Sequence, residues 1–348
     1  MLDDEIKKNM NKCARCALCV QNCPIYQIKK DENNTARGLI CKLSGLKKGE
    51  LTDIKIKNDL KICLNCFKCK KNCPSKVDTE LIFSYNNAFL CPSKFSQRLF
   101  LIIKLFPIKI LYFLNFFKKN KIFSKKTNIL YFKGCVANAQ HKVTFLDSFF
   151  YNPKFFCCGI PYLAGGDLKN YEKSKLKNIE MIKTSKVVIF DCASCKSAVS
   201  SYFELSAKEK EKLKFFVDFF ENSKFILKNN SKYKNKKITF HKPCHLDEND
   251  FEKIEKFLKS IEGIEYIRMD EIDNCCGFGG SYFMYHPIIS TKIAIKKAKD
   301  IKKTKADLIL TACPSCTLGL RYNQIISFNF RKTLEIRDFI ENELEIIN

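Results

Sequence analysis

The sequence predicts an α+β multidomain protein: a helical, cysteine-rich N-terminal domain followed by a duplicated α/β domain. One cysteine spacing occurs twice within residues 1–90, and a different one occurs twice within 128–348. In the C-terminal half, short apolar runs alternate with helical stretches, which argues a sheet carrying helices on its faces.

At 348 residues the chain can bury two or three separate cores, and a hydrophobic fraction of 46% fits a globular protein. Residues Met1 to Ile6 lack the apolar stretch of a secretion signal, so a reducing cytoplasm is the expected location. There, clustered cysteines are metal ligands rather than bridges, and this chain has 20. The formal charge is +25, but only seven of the 62 basic residues are Arg, and the lysines are spread along the chain. Base and phosphate readers lean on Arg, so no nucleic-acid partner is expected.

Along the chain, Cys13, Cys16, Cys19 and Cys23 before Pro24 repeat as Cys63, Cys66, Cys69 and Cys73 before Pro74. This is the bacterial ferredoxin ligand run, present twice. Its spacing lets three thiolates wrap one face of a cubane, and the fourth cysteine of each run ligates the other cluster. The expected sets are Cys13, Cys16, Cys19 with Cys73, and Cys63, Cys66, Cys69 with Cys23, holding two 4Fe–4S cubane clusters. A pair of zinc sites would leave the Cys-Pro steps unexplained and waste two ligands. The insert 28–60 reads as helical, with an apolar set at Leu39, Ile40, Leu43 and Leu46. Residues 1–90 are therefore expected to form an α-helical ferredoxin domain. Cys41 falls inside the apolar set and is expected to be a buried core thiol. Cys91 has no motif around it.

Residues 91–127 form an apolar and basic linker. Its stretch 99–117 approaches the length of a membrane span, but Lys104, Pro107 and Lys109 lie within it, so a spanning helix is not expected. With Lys118, Lys119 and Lys121 following, the composition suits peripheral contact with an anionic membrane surface and, equally, a helix packed on protein.

The second pattern divides 128–348 into copies at 128–236 and 237–348. Asn128 to Cys135 matches Lys237 to Cys244, Cys157-Cys158-Gly159 matches Cys275-Cys276-Gly277, and Lys186 to Cys195 matches Asp307 to Cys316. Each apolar run leading into a cysteine reads as a buried strand, with helices expected over 169–186 and 288–303. The cysteines would then gather at the C-terminal ends of the strands, where open α/β sheets bind ligands. Each copy supplies five: Cys135, Cys157, Cys158, Cys192 and Cys195, then Cys244, Cys275, Cys276, Cys313 and Cys316. Adjacent side chains in extended chain point apart, so one zinc ion seldom takes both, whereas a multi-iron cluster can. Gly159 and Gly277 would let the backbone turn and approach such a cluster.

At these residues the chain resembles the cysteine-rich "CCG" proteins. That family includes the iron–sulfur subunits of glycolate oxidase, of anaerobic glycerol-3-phosphate dehydrogenase and of lactate-utilisation complexes, and the heterodisulfide reductase B subunit. Cys23 to Tyr26, Arg37 to Ile40 and Cys63 to Cys66 look most like the glycolate oxidase protein. Cys158 to Pro161 and Cys276 to Gly280 look more like the lactate and glycerol-3-phosphate branches. In the heterodisulfide reductase branch each set of five cysteines holds a non-cubane 4Fe–4S cluster. The resemblance therefore implies one or two such clusters on the ten cysteines here, with the shorter first copy as the less regular site.

His241 and His245 flank Cys244, and either could donate a hydrogen bond to a cluster sulfur. His141 and His286 carry no motif. Neither Gly165-Gly166 nor Gly277 to Gly280 has the spacing of a flavin or nicotinamide loop, and no catalytic side-chain set is apparent. The resemblance implies an iron–sulfur subunit that takes electrons from an FAD-containing dehydrogenase and passes them toward quinone, glycolate or lactate being the substrate of the complex. A heterodisulfide-type reductase is the alternative.

Overall fold

The computed structural model describes residues 2–47, 49, 53–90, 128–135, 157–164, 166–220, 223–280 and 282–347. The N-terminal region is helical: α1 (Leu2–Asn11), α2 (Leu18–Gln21), α3 (Pro24–Lys29), α4 (Ala36–Lys47), α5 (Asp53–Ile62), α6 (Lys68–Lys71) and α7 (Thr79–Leu90). Helix α4 buries Leu39, Ile40 and Leu43, with Leu46 at the edge of the same core, as its apolar spacing predicts. Ile56 and Leu60 of α5 and Ile82 of α7 close that core. Cys41 is exposed, which corrects the expectation of a core thiol. A step of about 100° per residue carries position 41 to the side of α4 opposite Leu39 and Leu43, so proximity in sequence misled.

The two ligand runs turn in the same way. Arg15 and Ala17 flank Cys16 at φ 55° and 65°, and Asn65 and Phe67 flank Cys66 at φ 51° and 53°. Left-handed backbone costs an L-residue roughly 1–2 kcal/mol. Its repetition on both sides of the middle cysteine, in both runs, marks a loop held against local preference.

The C-terminal half is α/β and duplicated. In the first copy β1 (Ile129–Phe132), α8 (Ile160–Ala164), α9 (Leu168–Thr184), β2 (Val187–Phe190), α10 (Ala193–Tyr202), α11 (Ala207–Glu211) and β3 (Leu213–Phe215) precede β4 (Lys224–Leu227). The parallel sheet has the order β1-β2-β3, with Phe132 opposite Phe190 and Phe190 opposite Phe215. In the second copy the elements are β5 (Lys236–His241), α12 (Glu248–Ser260), β6 (Ile264–Tyr266), α13 (Tyr282–Tyr285), α14 (Pro287–Thr304), β7 (Leu308–Thr311), α15 (Pro314–Ile326), β8 (Lys332–Glu335), α16 (Ile336–Glu343) and β9 (Leu344–Ile347). Its parallel sheet has the order β6-β5-β7-β8. Strands β1, β2 and β3 thus answer to β5, β7 and β8. The part of the first copy that would answer to β6, 136–156, lies outside the described residues, as do the linker 91–127 and Cys91. Strand β7 is buried at all four positions, as helix-covered parallel strands are. Antiparallel pairing of β4 with β9, Leu227 opposite Leu344, laces the end of one copy to the end of the other.

The helical region does not stand apart from the repeat. Ser84 of α7 shares a hydrogen bond of 2.8 Å with the Tyr202 hydroxyl of the first copy. Against the second copy, the Tyr282 hydroxyl donates to the Ile62 carbonyl (3.0 Å), and Lys71 Nζ donates to the Leu246 carbonyl (3.0 Å). Among the described residues no helix is long and apolar enough to cross a membrane.

Candidate metal centres

Cysteines follow the C-terminal ends of the strands. Cys135 follows β1 and Cys244 follows β5, while Cys192 and Cys313 follow β2 and β7 and cap the N-termini of α10 and α15. Cys195 and Cys316 lie in the first turns of those helices, so each CxxC pair turns two thiols toward the same strand end.

In the first copy Cys135 interacts with Cys157, Cys158 and Cys192, and Cys195 with Cys158 and Cys192. In the second, Cys244 interacts with Cys275 and Cys313, Cys276 with Cys275, and the Cys276 and Cys316 sulfurs are 3.7 Å apart. The structure therefore brings together each predicted group of five. The two groups also touch, because Cys192 interacts with Cys313.

The paired cysteines are held alike in both copies. The Gly159 N–H donates to Cys157 Sγ (3.4 Å), and the Gly277 N–H donates to Cys275 Sγ (3.3 Å). Both glycines are left-handed, at φ +87° and +83°. A Cβ on Gly159 would lie 2.9 Å from the Tyr171 ring, and one on Gly277 would lie 2.8 Å from the Ser290 carbonyl oxygen. The close approach that requires glycine is thus to α9 and α14, which lie directly behind the cysteine pairs.

In the helical region Cys23, Cys63, Cys66 and Cys69 line one cavity, with Ile25, Leu64, Phe67 and Phe83 among its walls. A cysteine of the first run thus sits with three of the second. Burial pushes the Cys63 thiol up to about 12 and the Cys66 thiol up to about 11, the latter with a contribution from Cys244. Thiols this buried keep their protons until a cation replaces them, and four around one cavity suit a cationic iron–sulfur core. Cys19 lies near both Cys13 and Cys16, and Cys16 is exposed. Cys73 lies past α6, which packs on α2, and its sulfur accepts from the Val77 N–H (3.4 Å). Cys66 also lies within electrostatic reach of Cys244 and Cys275, and the loop around it touches His245, the residue after Cys244.

His241 is 0% exposed, and neither of its ring nitrogens has a partner among the described residues. One of them groups with the Cys276 and Cys316 sulfurs, all within 4.8 Å of one another. An orphaned buried imidazole costs about 1–3 kcal/mol, so its aim at two thiols is a further sign that a group belongs there. Burial, followed by the charge of Lys297, holds His241 well below the usual histidine range, and it is neutral. His245 differs, because both its nitrogens are committed, one to the Ser194 hydroxyl and one to the Asn65 carbonyl, each at 3.0 Å. Ser194, Asn65 and His286, whose Nε2–H donates to the Lys61 carbonyl (2.9 Å), were not singled out by motif. Their partners are distant in sequence, and no local signal announces them.

A parallel repeat with cysteines at its strand ends, docked on a helical domain with two ligand runs, defines an iron–sulfur electron-transfer protein. The family comparisons agree. A "Cysteine-rich domain" (CCG) matches residues 129–200 and 238–321, and a "4Fe-4S dicluster domain" matches 9–77. The chain thus carries the cysteine-rich domain twice and one dicluster 4Fe–4S domain, consistent with the CCG iron–sulfur family. It is 31% identical over 170 residues to the B subunit of fumarate reductase (CoM/CoB) from Methanothermobacter marburgensis, covering 47% of this chain and 34% of that one. It is 31% identical over 223 residues to the D subunit of dihydromethanophenazine:CoB–CoM heterodisulfide reductase from Methanosarcina acetivorans, covering 56% and 54%. With lactate utilization protein A of Shouchella clausii it shares 26% over 214 residues, covering 56% and 90%. The chain thus spans about a third to a half of the length of the two methanogen proteins.

Proposed function

We propose that this chain is the iron–sulfur subunit of a flavin-dependent 2-hydroxyacid dehydrogenase complex of the glycolate oxidase or lactate dehydrogenase type. It would take electrons from an FAD-containing partner and pass them toward quinone. The observation that carries this reading is a line of neighbouring thiol sites. The Cys66 loop touches His245, the residue after Cys244, and the second paired group meets the first through Cys313 and Cys192. Two cubane 4Fe–4S clusters on Cys13, Cys16, Cys19, Cys73 and on Cys63, Cys66, Cys69, Cys23, with one or two non-cubane clusters on the paired cysteines, would supply one-electron carriers along that line. The protein's part is to hold and insulate them. Leu64, Phe67 and Phe83 wall the second run's cavity, and the free ring nitrogens of His241 can meet a sulfur at the second paired group. The match to lactate utilization protein A, which spans 90% of that protein, supports the lactate-type reading. The complex would work in the cytoplasm or against the inner face of its membrane, with 99–117 as the contacting segment; flotation with anionic vesicles tests that part.

The direct test is anaerobic. Glycolate, D-lactate or L-lactate added to the chain with its flavoprotein should bleach the cluster absorbance, and a quinone analogue should restore it. The isolated chain should do neither. A second reading, a reductase acting on disulfides, is favoured by the contact between Cys192 and Cys313 and by the relative named heterodisulfide reductase. Turnover of a disulfide by the isolated chain, without any flavoprotein, would establish it instead.

A further inference from the structure

The His245 ring joins three segments that are far apart in sequence. Its Nε2–H donates to the Asn65 carbonyl, and its Nδ1 meets the Ser194 hydroxyl, each at 3.0 Å. It stacks on Phe67, with centroids 5.1 Å apart and planes 26° from parallel. Ser194 Oγ in turn lies 3.5 Å from Cys313 Sγ. Asn65 and Phe67 are the two left-handed residues flanking Cys66, a conformation that needs outside support in residues other than glycine. One imidazole supplies support to each. The residue before it is Cys244, so the ring that grips the Cys66 loop stands one residue from the second paired-cysteine site.

We propose that His245 is a positioning residue that sets the spacing between the Cys66 site and the second paired-cysteine site, and that it reaches the junction with the first copy through Ser194. The inference rests on the function proposed above, because the spacing matters where electrons cross between those sites. The ring acts in two ways that substitution can separate. A glutamine amide can donate to Asn65 and accept from Ser194. Phenylalanine can stack on Phe67 but makes neither hydrogen bond, and alanine does none of these.

The test uses full-length protein purified anaerobically and reduced with dithionite. In the native protein the paramagnetic resonance of the reduced cubane should be split by its neighbour across the Cys66–Cys244 boundary. His245→Ala should leave iron per chain unchanged, cut that splitting at least about twofold, and raise hydrogen exchange of the 64–68 amides about tenfold or more. His245→Gln should keep most of the native splitting, and His245→Phe should not. His245→Ala with full iron and native splitting and exchange would overturn the proposal. Should that variant fail to fold, Ser194→Ala and His245→Phe are read instead, and native splitting in both would overturn it. A native protein without iron would defeat the functional reading itself, and this one with it.

Discussion

The backbone N–H of Ala193 donates to the carbonyl oxygen of Ala312 at 3.0 Å, fastening the two copies of the repeat one residue from Cys192 and one from Cys313. A buried charge network stands beside it. Arg337, from the second copy, pairs with the Asp191 carboxylate of the first and with Glu335 (3.1 Å), and the Tyr131 hydroxyl donates to Asp191 (2.5 Å). The place where the two cysteine groups meet is therefore held by the backbone and by charge.

Arg337→Met should be among the most damaging substitutions away from the cysteines. It leaves the buried Asp191 without the Arg337 cation, and breaking one side of a buried pair costs about 3–5 kcal/mol. Anaerobic denaturant titration measures the loss. Arg337→Met combined with Asp191→Asn should recover part of it, because the orphaned charge at 191 is then gone.

Gly277→Ala should destabilise the second paired group by about 1–3 kcal/mol. The added Cβ meets the Ser290 carbonyl oxygen and the Ala294 nitrogen, both backbone atoms of α14 that cannot swing aside. Gly280 has open space around it at φ +65°, so Gly280→Asn should stay within about 0.5 kcal/mol. Equal loss in both variants, read as shifts in thermal midpoint, would show that φ alone sets the requirement.

Cys276→Ala should remove iron from the second paired group alone. Four clusters would bring about sixteen irons per chain, and the variant should lose about four. The cavity of Cys23, Cys63, Cys66 and Cys69 has its own ligands and should keep the cubane signal on reduction. Loss of every signal together would mean that the docked second run depends on its neighbour for its fold.

Cys41→Ser should change nothing. The thiol is exposed and belongs to no cysteine group among the described residues, so iron content and stability should match the native protein, stability within about 0.5 kcal/mol. In the native holoprotein Cys41 should be alkylated quickly by iodoacetamide, before the buried thiols. Slow labelling, or lost iron in the variant, would restore it to the core.

The local features of this protein were legible in the chain. The spacings from Cys13 to Cys23 and from Cys63 to Cys73 announced two ligand runs, since cluster ligation demands short, fixed intervals that survive any fold. The apolar runs ending at Cys192 and Cys313 announced strands with cysteines at their ends, and the period of α4 predicted its buried face at Leu39 and Leu43. These are properties of neighbours along the backbone. What joins the parts was not legible. The left-handed flanks of Cys66, the grip of His245 on Asn65 and Ser194, the free imidazole of His241 and the meeting of Cys192 with Cys313 all depend on segments separated by many residues. Cys41 shows the same limit from the other side, because a thiol among leucines in the sequence faces water once the helix turns. By itself, then, the sequence determined which residues could hold metal and which elements carry them. Only the tertiary structure decided which sites stand next to which, because adjacency comes from docking two modules and two copies, and side-chain periodicity does not encode how surfaces meet.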